Sequence, residues 1–242
     1  MLNYTNQQQG IIPNMQSRSD EPFNIVEKFT EHRRAGKSPR DAWGAVKKEF
    51  IQESTASDPE QAWKTASGRA FEKVIRGEFE KQIKDCGLSG EIGIQQWEDI
   101  KNDLVKRILS DTLWSRCTLD EPYEVGSQVD FIAIEKRGEQ VVRVLSVYSC
   151  KVSLRERFQQ DLYWAEKLRG RGVRFCFITL DNDGILLRDL EGGELRSKQS
   201  KMAAALYDRI YLLTDKEIQH CKRVFRTIDQ LGEDLKRWLQ AD

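Results

Sequence analysis

Histidine is nearly missing from the 242 residues: only His32 and His220 occur, and they lie far apart. Hydrolysis built on a histidine base, or a histidine-rich metal site, is therefore a poor expectation. The five cysteines, Cys86, Cys117, Cys150, Cys176 and Cys221, include no Cys-x-x-Cys pair. That spacing argues against zinc, and the odd number argues against a closed disulfide framework. Cys150 and Cys176 fall in strand-like runs and read as small core residues. No apolar run approaches the ~20 residues that span a bilayer. Met1 to Gly10 is rich in Asn and Gln and lacks a basic-then-apolar signal, so the expected location is cytoplasmic, without a membrane partner. Net charge is absent too, with 39 basic residues against 39 acidic ones. Affinity for a polyanion must come from local clusters of Lys and Arg. The sequence holds no internal repeat and no coiled-coil pattern.

What is present fits one large domain, or a core with a helical appendage. Residues 1–20 are polar and read as a flexible arm. Residues 21–116 read as a helical region. Phe23, Ile25, Val26 and Phe29, then Ala42, Trp43, Val46 and Phe50, recur at helical spacing. Lys37-Ser38-Pro39 breaks this pattern, with Ser38 as a cap and proline in the first turn of the next helix. A long helix through Trp63, Phe71, Val74, Ile75 and Phe79 is expected from about Pro59 to Cys86. Leu88 to Ile94 reads as linking chain, and Gln96 to Trp114 as one more helix. Residues 117–242 form the expected core. It has strands at Val129–Glu135, Val141–Val147 and Val173–Leu180, and an edge strand at Ile185–Leu190. Ala203 to Leu213 reads as a helix passing into a short strand, and a helical tail follows from Lys216 to Leu239.

The chemistry centres on Ser149-Cys150-Lys151. Val141 to Val147 is a nearly continuous β-branched run and reads as a buried strand. A lysine closing such a strand needs an anionic partner. Asp130 opens the preceding strand, and Arg137-Gly138-Glu139 supplies a turn, so the two strands form an antiparallel hairpin. Asp130 and Lys151 then share one open end. A cation-holding carboxylate beside a lysine that orients water or stabilises a phosphate is a hydrolytic arrangement. The bland alternative is a buried salt bridge between strand ends.

Asp130 followed by a strand ending Ser149-x-Lys151 resembles the nuclease pattern of an aspartate and an acid-x-lysine triplet. The continuation Ser153-Leu154-Arg155-Glu156-Arg157 resembles a narrower branch, the type II restriction endonucleases that read CCGG, CCNGG and similar sites. The resemblance covers roughly Gln128 to Thr179 and extends more weakly to Phe71-Glu72. It implies a mixed α/β fold, with a central mixed sheet flanked by helices and a helical N-terminal region. It further implies Mg2+ as cofactor, double-stranded DNA as partner and a homodimer. A cognate methyltransferase is expected in the same cell but not as a physical partner.

Ser149 departs from the commoner pattern, which has an acid there. In the resembling branch the next helix supplies that acid, and Asp161 and Glu166 are the two candidates. On a helix from Val152 to Leu168, Leu154, Phe158, Leu162, Ala165 and Leu168 form an apolar stripe. Asp161 lies about 40° from its middle and Glu166 about 100° away, which favours Asp161. The resemblance also implies a site glutamate on the first core helix, Glu72; a solvated acidic face with Glu78 and Glu80 is the alternative. The expected metal ligands are thus Asp130, Asp161 and Glu72.

Arg155, Glu156 and Arg157 are the candidate base readers, with Ser153 and Gln159 beside them. Arginine donates two hydrogen bonds to guanine, and glutamate accepts from cytosine. Without the lysine nearby, an ordinary charged helix face would be the better reading. The expected activity is Mg2+-dependent cleavage of duplex DNA at a short GC-containing palindrome. A repair nuclease of the same fold without base specificity, or a non-cleaving DNA-binding protein, are the alternatives.

Overall fold

The computed structural model describes residues 23–113, 123–126, 129–153 and 158–241. The expected arm over residues 1–20 lies outside them. Three helices come first: α1 (Ile25–Arg34), α2 (Pro39–Glu53) and α3 (Pro59–Asp85). Their starts follow from local chemistry. Asn24, Ser38 and Asp58 each accept a backbone N–H of the first turn, and proline opens α2 and α3, where no donor is needed. Trp43 joins the three helices by edge-on ring contacts to Phe29, Trp63 and Phe71 at 5.6–5.7 Å.

The next stretch departs from expectation. Ile92–Gln95 is a strand, β1, rather than linking chain. In place of one helix over Gln96–Trp114 there is a 3-10 turn at Trp97–Asp99, then α4 (Asp103–Leu109) and β2 (Ser110–Leu113). Asn102 explains the interruption. Its side chain caps Leu104 and Val105 N–H, so a new helix begins there. β2 pairs with β3 (Tyr123–Gly126) in a separate antiparallel ribbon.

The hairpin forms as expected from β4 (Phe131–Arg137) and β5 (Gln140–Lys151), with Gly138 in the left-handed region at its turn. Helix α5 (Phe158–Arg169) leads into β6 (Arg174–Thr179), which lies parallel to β5. Buried on both faces, β6 reads as the continuous apolar run that a central parallel strand requires.

Ile185–Leu190 is not an edge strand but lies within α6 (Ile185–Glu191). The reason is Asp181, whose buried carboxylate accepts the N–H groups of Ile185, Leu186 and Leu187 at 2.8–3.2 Å and so caps a helix. Then follow α7 (Lys198–Leu206), β7 (Arg209–Leu212), β8 (Phe225–Thr227) and α8 (Leu231–Gln240). The tail is thus helical only from Ile228, where a 3-10 turn leads into α8, because β8 first extends the sheet.

The main sheet has the order β1-β4-β5-β6-β7-β8, antiparallel up to β5 and parallel from β5 to β8. Each side of it supports a separate core. On one face Phe71, Ile75 and Phe79 of α3, with Leu231, Leu235 and Trp238 of α8, cover Phe131, Leu145, Tyr148 and Tyr211. On the other, Val105, Trp164, Leu168, Leu186 and Ala203, from α4 to α7, cover Ile132, Val147, Phe177 and Ile210. No described helix is long and apolar enough to cross a membrane.

Candidate active site

β5 runs three residues past the start of β4, because Phe131 pairs with Tyr148. Asp130 closes that gap. Its N–H donates to the Tyr148 carbonyl at 2.9 Å, and its carboxylate accepts the Cys150 N–H at 2.6 Å. A side chain thus satisfies a ladder donor that has no strand opposite it. Lys151 Nζ donates to both carboxylate oxygens, at 3.1 and 3.3 Å. The two side chains are only 16% and 13% exposed, so the pair holds its charges largely away from water. The expected partnership at one strand end is therefore present.

Strand alternation sorts the neighbours by face. Tyr148 and Cys150 belong to the α3 side, and Val147 to the α5 side. Period two puts Ser149 and Lys151 with Val147. Ser149 is 1% exposed, and its hydroxyl has no hydrogen-bond partner among the described residues. The residue replacing the expected acid is thus a buried oxygen with spare capacity beside the lysine.

Glu72 is half-buried on α3, on the opposite side of the sheet from α5. Its charge reaches Cys150. Burial first, then Asp130 and more weakly Glu72, push the Cys150 thiol well up, with Lys151 opposing. Cys150 therefore remains a protonated thiol and a poor nucleophile.

Asp161 and Glu166 part company on α5. Glu166 is exposed, whereas Asp161 is 3% exposed and faces the sheet. Tyr207, at the end of α7, donates its hydroxyl to Asp161 Oδ2 at 2.5 Å. Tyr207 has no signal in the sequence: it stands 46 residues from Asp161 and reads there only as a core aromatic. Among the described residues no three His, Cys, Asp or Glu side chains gather closely enough to hold a metal. A magnesium ion does not need three, since it binds through one or two carboxylates and completes its shell with water and phosphate oxygens. The carboxylates of Asp130, Glu72 and Asp161 are hard oxygen donors of the kind such an ion takes, and the buried Ser149 hydroxyl has no partner among the described residues. The donor set therefore suits such an ion.

Ser153 is half-buried directly after β5. Arg155, Glu156 and Arg157 lie outside the described residues, as does the side chain of Gln159 in the first turn of α5. A groove of about 460 Å³ lies elsewhere, between α1, α3 and the chain after β7. The Asp130–Lys151 pair, at the end of β5, does not line it.

A sequence model described as BsaWI restriction endonuclease type 2 matches residues 101–236. No curated protein matches the chain. Among solved structures, the specific complex of restriction endonuclease AgeI with DNA aligns with a TM-score of 0.62 at 17% identity, over 90% of this chain and 86% of that one. The pre-specific complex of restriction endonuclease BsaWI with DNA aligns with a TM-score of 0.44, also at 17% identity, over 89% of this chain and 83% of that one. The AgeI likeness is one of fold, and it bears out the expected mixed sheet flanked by helices. The sequence match spans more than half the chain and takes in both strands of the Asp130–Lys151 hairpin, so the chain belongs to the BsaWI family of type 2 restriction endonucleases.

Proposed function

We propose that this family member hydrolyses both strands of duplex DNA at a short GC-containing palindrome, as a homodimer, with Mg2+ as cofactor. The observation that carries the reading is the Asp130–Lys151 pair at the rim where β5 ends. Asp130 would hold the ion, with Glu72 and Asp161 as the further acids. Ser149 and Glu166 are the remaining polar groups of the motif. A bound Mg2+ supplies charge neutralisation at the phosphate and lowers the pKa of an attacking water. Lys151 would shift from Asp130 toward that water or the phosphate, orienting the one or steadying the charge of the other.

Base reading falls to Arg155, Glu156 and Arg157, with Ser153 and Gln159 beside them. A two-fold dimer matches a two-fold site, and each subunit then cuts one strand. Digesting a sequenced plasmid with Mg2+, followed by run-off sequencing of the ends, tests the proposal. Discrete bands with one repeated end sequence are expected. A smear would indicate a nuclease without base specificity, and intact but bound DNA a non-cleaving protein. Arg155→Ala and Arg157→Ala are each expected to weaken specific binding by ~1–3 kcal/mol. Equal losses on every sequence, measured by competition binding, would make them phosphate contacts instead.

A further inference from the structure

We infer that Tyr207 is a positioning residue of the nuclease site, its hydroxyl aiming the Asp161 carboxylate across the sheet face that carries Ser149 and Lys151. This rests on the reading of Asp161 as the acid supplied by α5. Tyr207 Oη donates to Asp161 Oδ2 at 2.5 Å, and both residues are 3% exposed. The Tyr207 ring stacks on Phe177, with centroids 5.0 Å apart and planes 18° from parallel. Phe177 is the register partner of Ser149. Partnered residues on neighbouring strands share a face and lie ~5 Å apart. Ser149, Phe177, Tyr207 and Asp161 therefore form one continuous line, from the strand that carries Lys151 to the helix that follows it.

The line is stiff. Phe175 packs against the same tyrosine ring at 5.2 Å, so the hydroxyl cannot swing away from the acid. A buried carboxylate without such a donor would be costly to keep ionised. Donors behind a metal-binding carboxylate fix its orientation and commonly set metal affinity by ~10–100-fold. A purely structural pair would only tie α5 to the end of α7. The two roles differ in what happens when the hydroxyl alone is lost.

The test is Mn2+ binding to the full chain, without DNA, followed by electron paramagnetic resonance. Tyr207→Phe keeps the ring and its stacking. It is expected to weaken Mn2+ at least ~10-fold. Plasmid cleavage by the variant should need correspondingly more Mg2+ and approach the wild-type rate at saturation. A lower melting midpoint with unchanged Mn2+ affinity would overturn the inference. Asp161→Asn, which keeps an acceptor for the tyrosine, is the second variant should Tyr207→Phe fail to fold. Loss of Mn2+ binding is expected there too, and wild-type affinity would overturn the inference, as would wild-type protein that binds no Mn2+. Wild-type cleavage with normal Mn2+ binding in both variants removes this inference alone and leaves the nuclease reading standing. Intact DNA, with Mn2+ binding that depends on Tyr207, removes the nuclease reading alone.

Discussion

The two faces of the main sheet are made of different material. The α3 face is rich in large rings, with Trp43, Trp63, Phe71, Phe79, Phe131, Tyr148, Tyr211 and Trp238 in one core. The α5 face is mostly aliphatic, with Phe175, Phe177 and Tyr207 packed together and Trp164 and Phe225 in the same core. They differ in origin too. Helices α4 to α7 fall wholly inside the span that matches the family, residues 101–236, whereas α1 to α3 precede it. Glu72 comes from the first face and Asp161 from the second. A site that draws on both must lie at the rim, because a packed sheet separates its two sides everywhere else. The end of β5, where Lys151 meets Asp130, is such a rim.

The sharpest division between the rim and the two cores comes from Lys151→Ala. It should lower cleavage by ~10²–10⁴-fold or more while specific binding stays close to wild type. Asp130→Ala should likewise abolish cleavage. Cutting at the wild-type rate by either variant would remove the rim from the chemistry.

Phe79→Ala tests the aromatic face. Its ring contacts Tyr148 edge-on at 4.7 Å and Phe131 at 5.7 Å, and it is fully buried. Truncation should cost ~3–5 kcal/mol in denaturant unfolding. A much smaller loss would mean that α3 is not anchored on the sheet through this ring.

Gly232→Ala probes how closely α8 approaches α3. A methyl there would meet Cys86 Sγ at 2.6 Å and the Gln82 carbonyl oxygen at 2.9 Å. The backbone atom cannot turn aside, so a loss of ~1–3 kcal/mol is expected.

Asp183→Asn is the smallest effect and concerns the turn beyond β6. Burial first, and then Asp183 nearby, push the Asp181 carboxyl up to about 6, against the backbone hydrogen bonds that it accepts. The folded chain holds this proton more tightly than the unfolded chain does. The contribution to stability is therefore complete below about pH 3.8, the ordinary value, and is lost as pH rises through about 6. Removing the neighbouring charge should raise the melting midpoint by roughly 2 °C at pH 8, with the gap closing toward pH 4. A gap that is constant with pH would mean that Asp183 does not act through Asp181.

Local signals carried much of this fold. Ser38-Pro39 announces a helix start because a cap and a missing donor act within one turn. The Asp130–Lys151 pair was legible for a related reason: a tight hairpin turn sets the register between two strands, and register sets which ends meet. Ile185–Leu190 was misread because a short apolar run suits strand and helix alike. A buried carboxylate four residues upstream decided between them.

The sequence by itself determined the strand hairpin, the charge partners at its end, and the preference for Asp161 over Glu166 toward the sheet. All of these depend on periodicity within one or two neighbouring elements. Only the tertiary structure decided that Glu72 and Asp161 lie on opposite sides of the sheet, and that the Tyr207 hydroxyl meets Asp161. Those placements follow from how whole helices pack on the two faces of a sheet, which brings together side chains that no period along the chain relates.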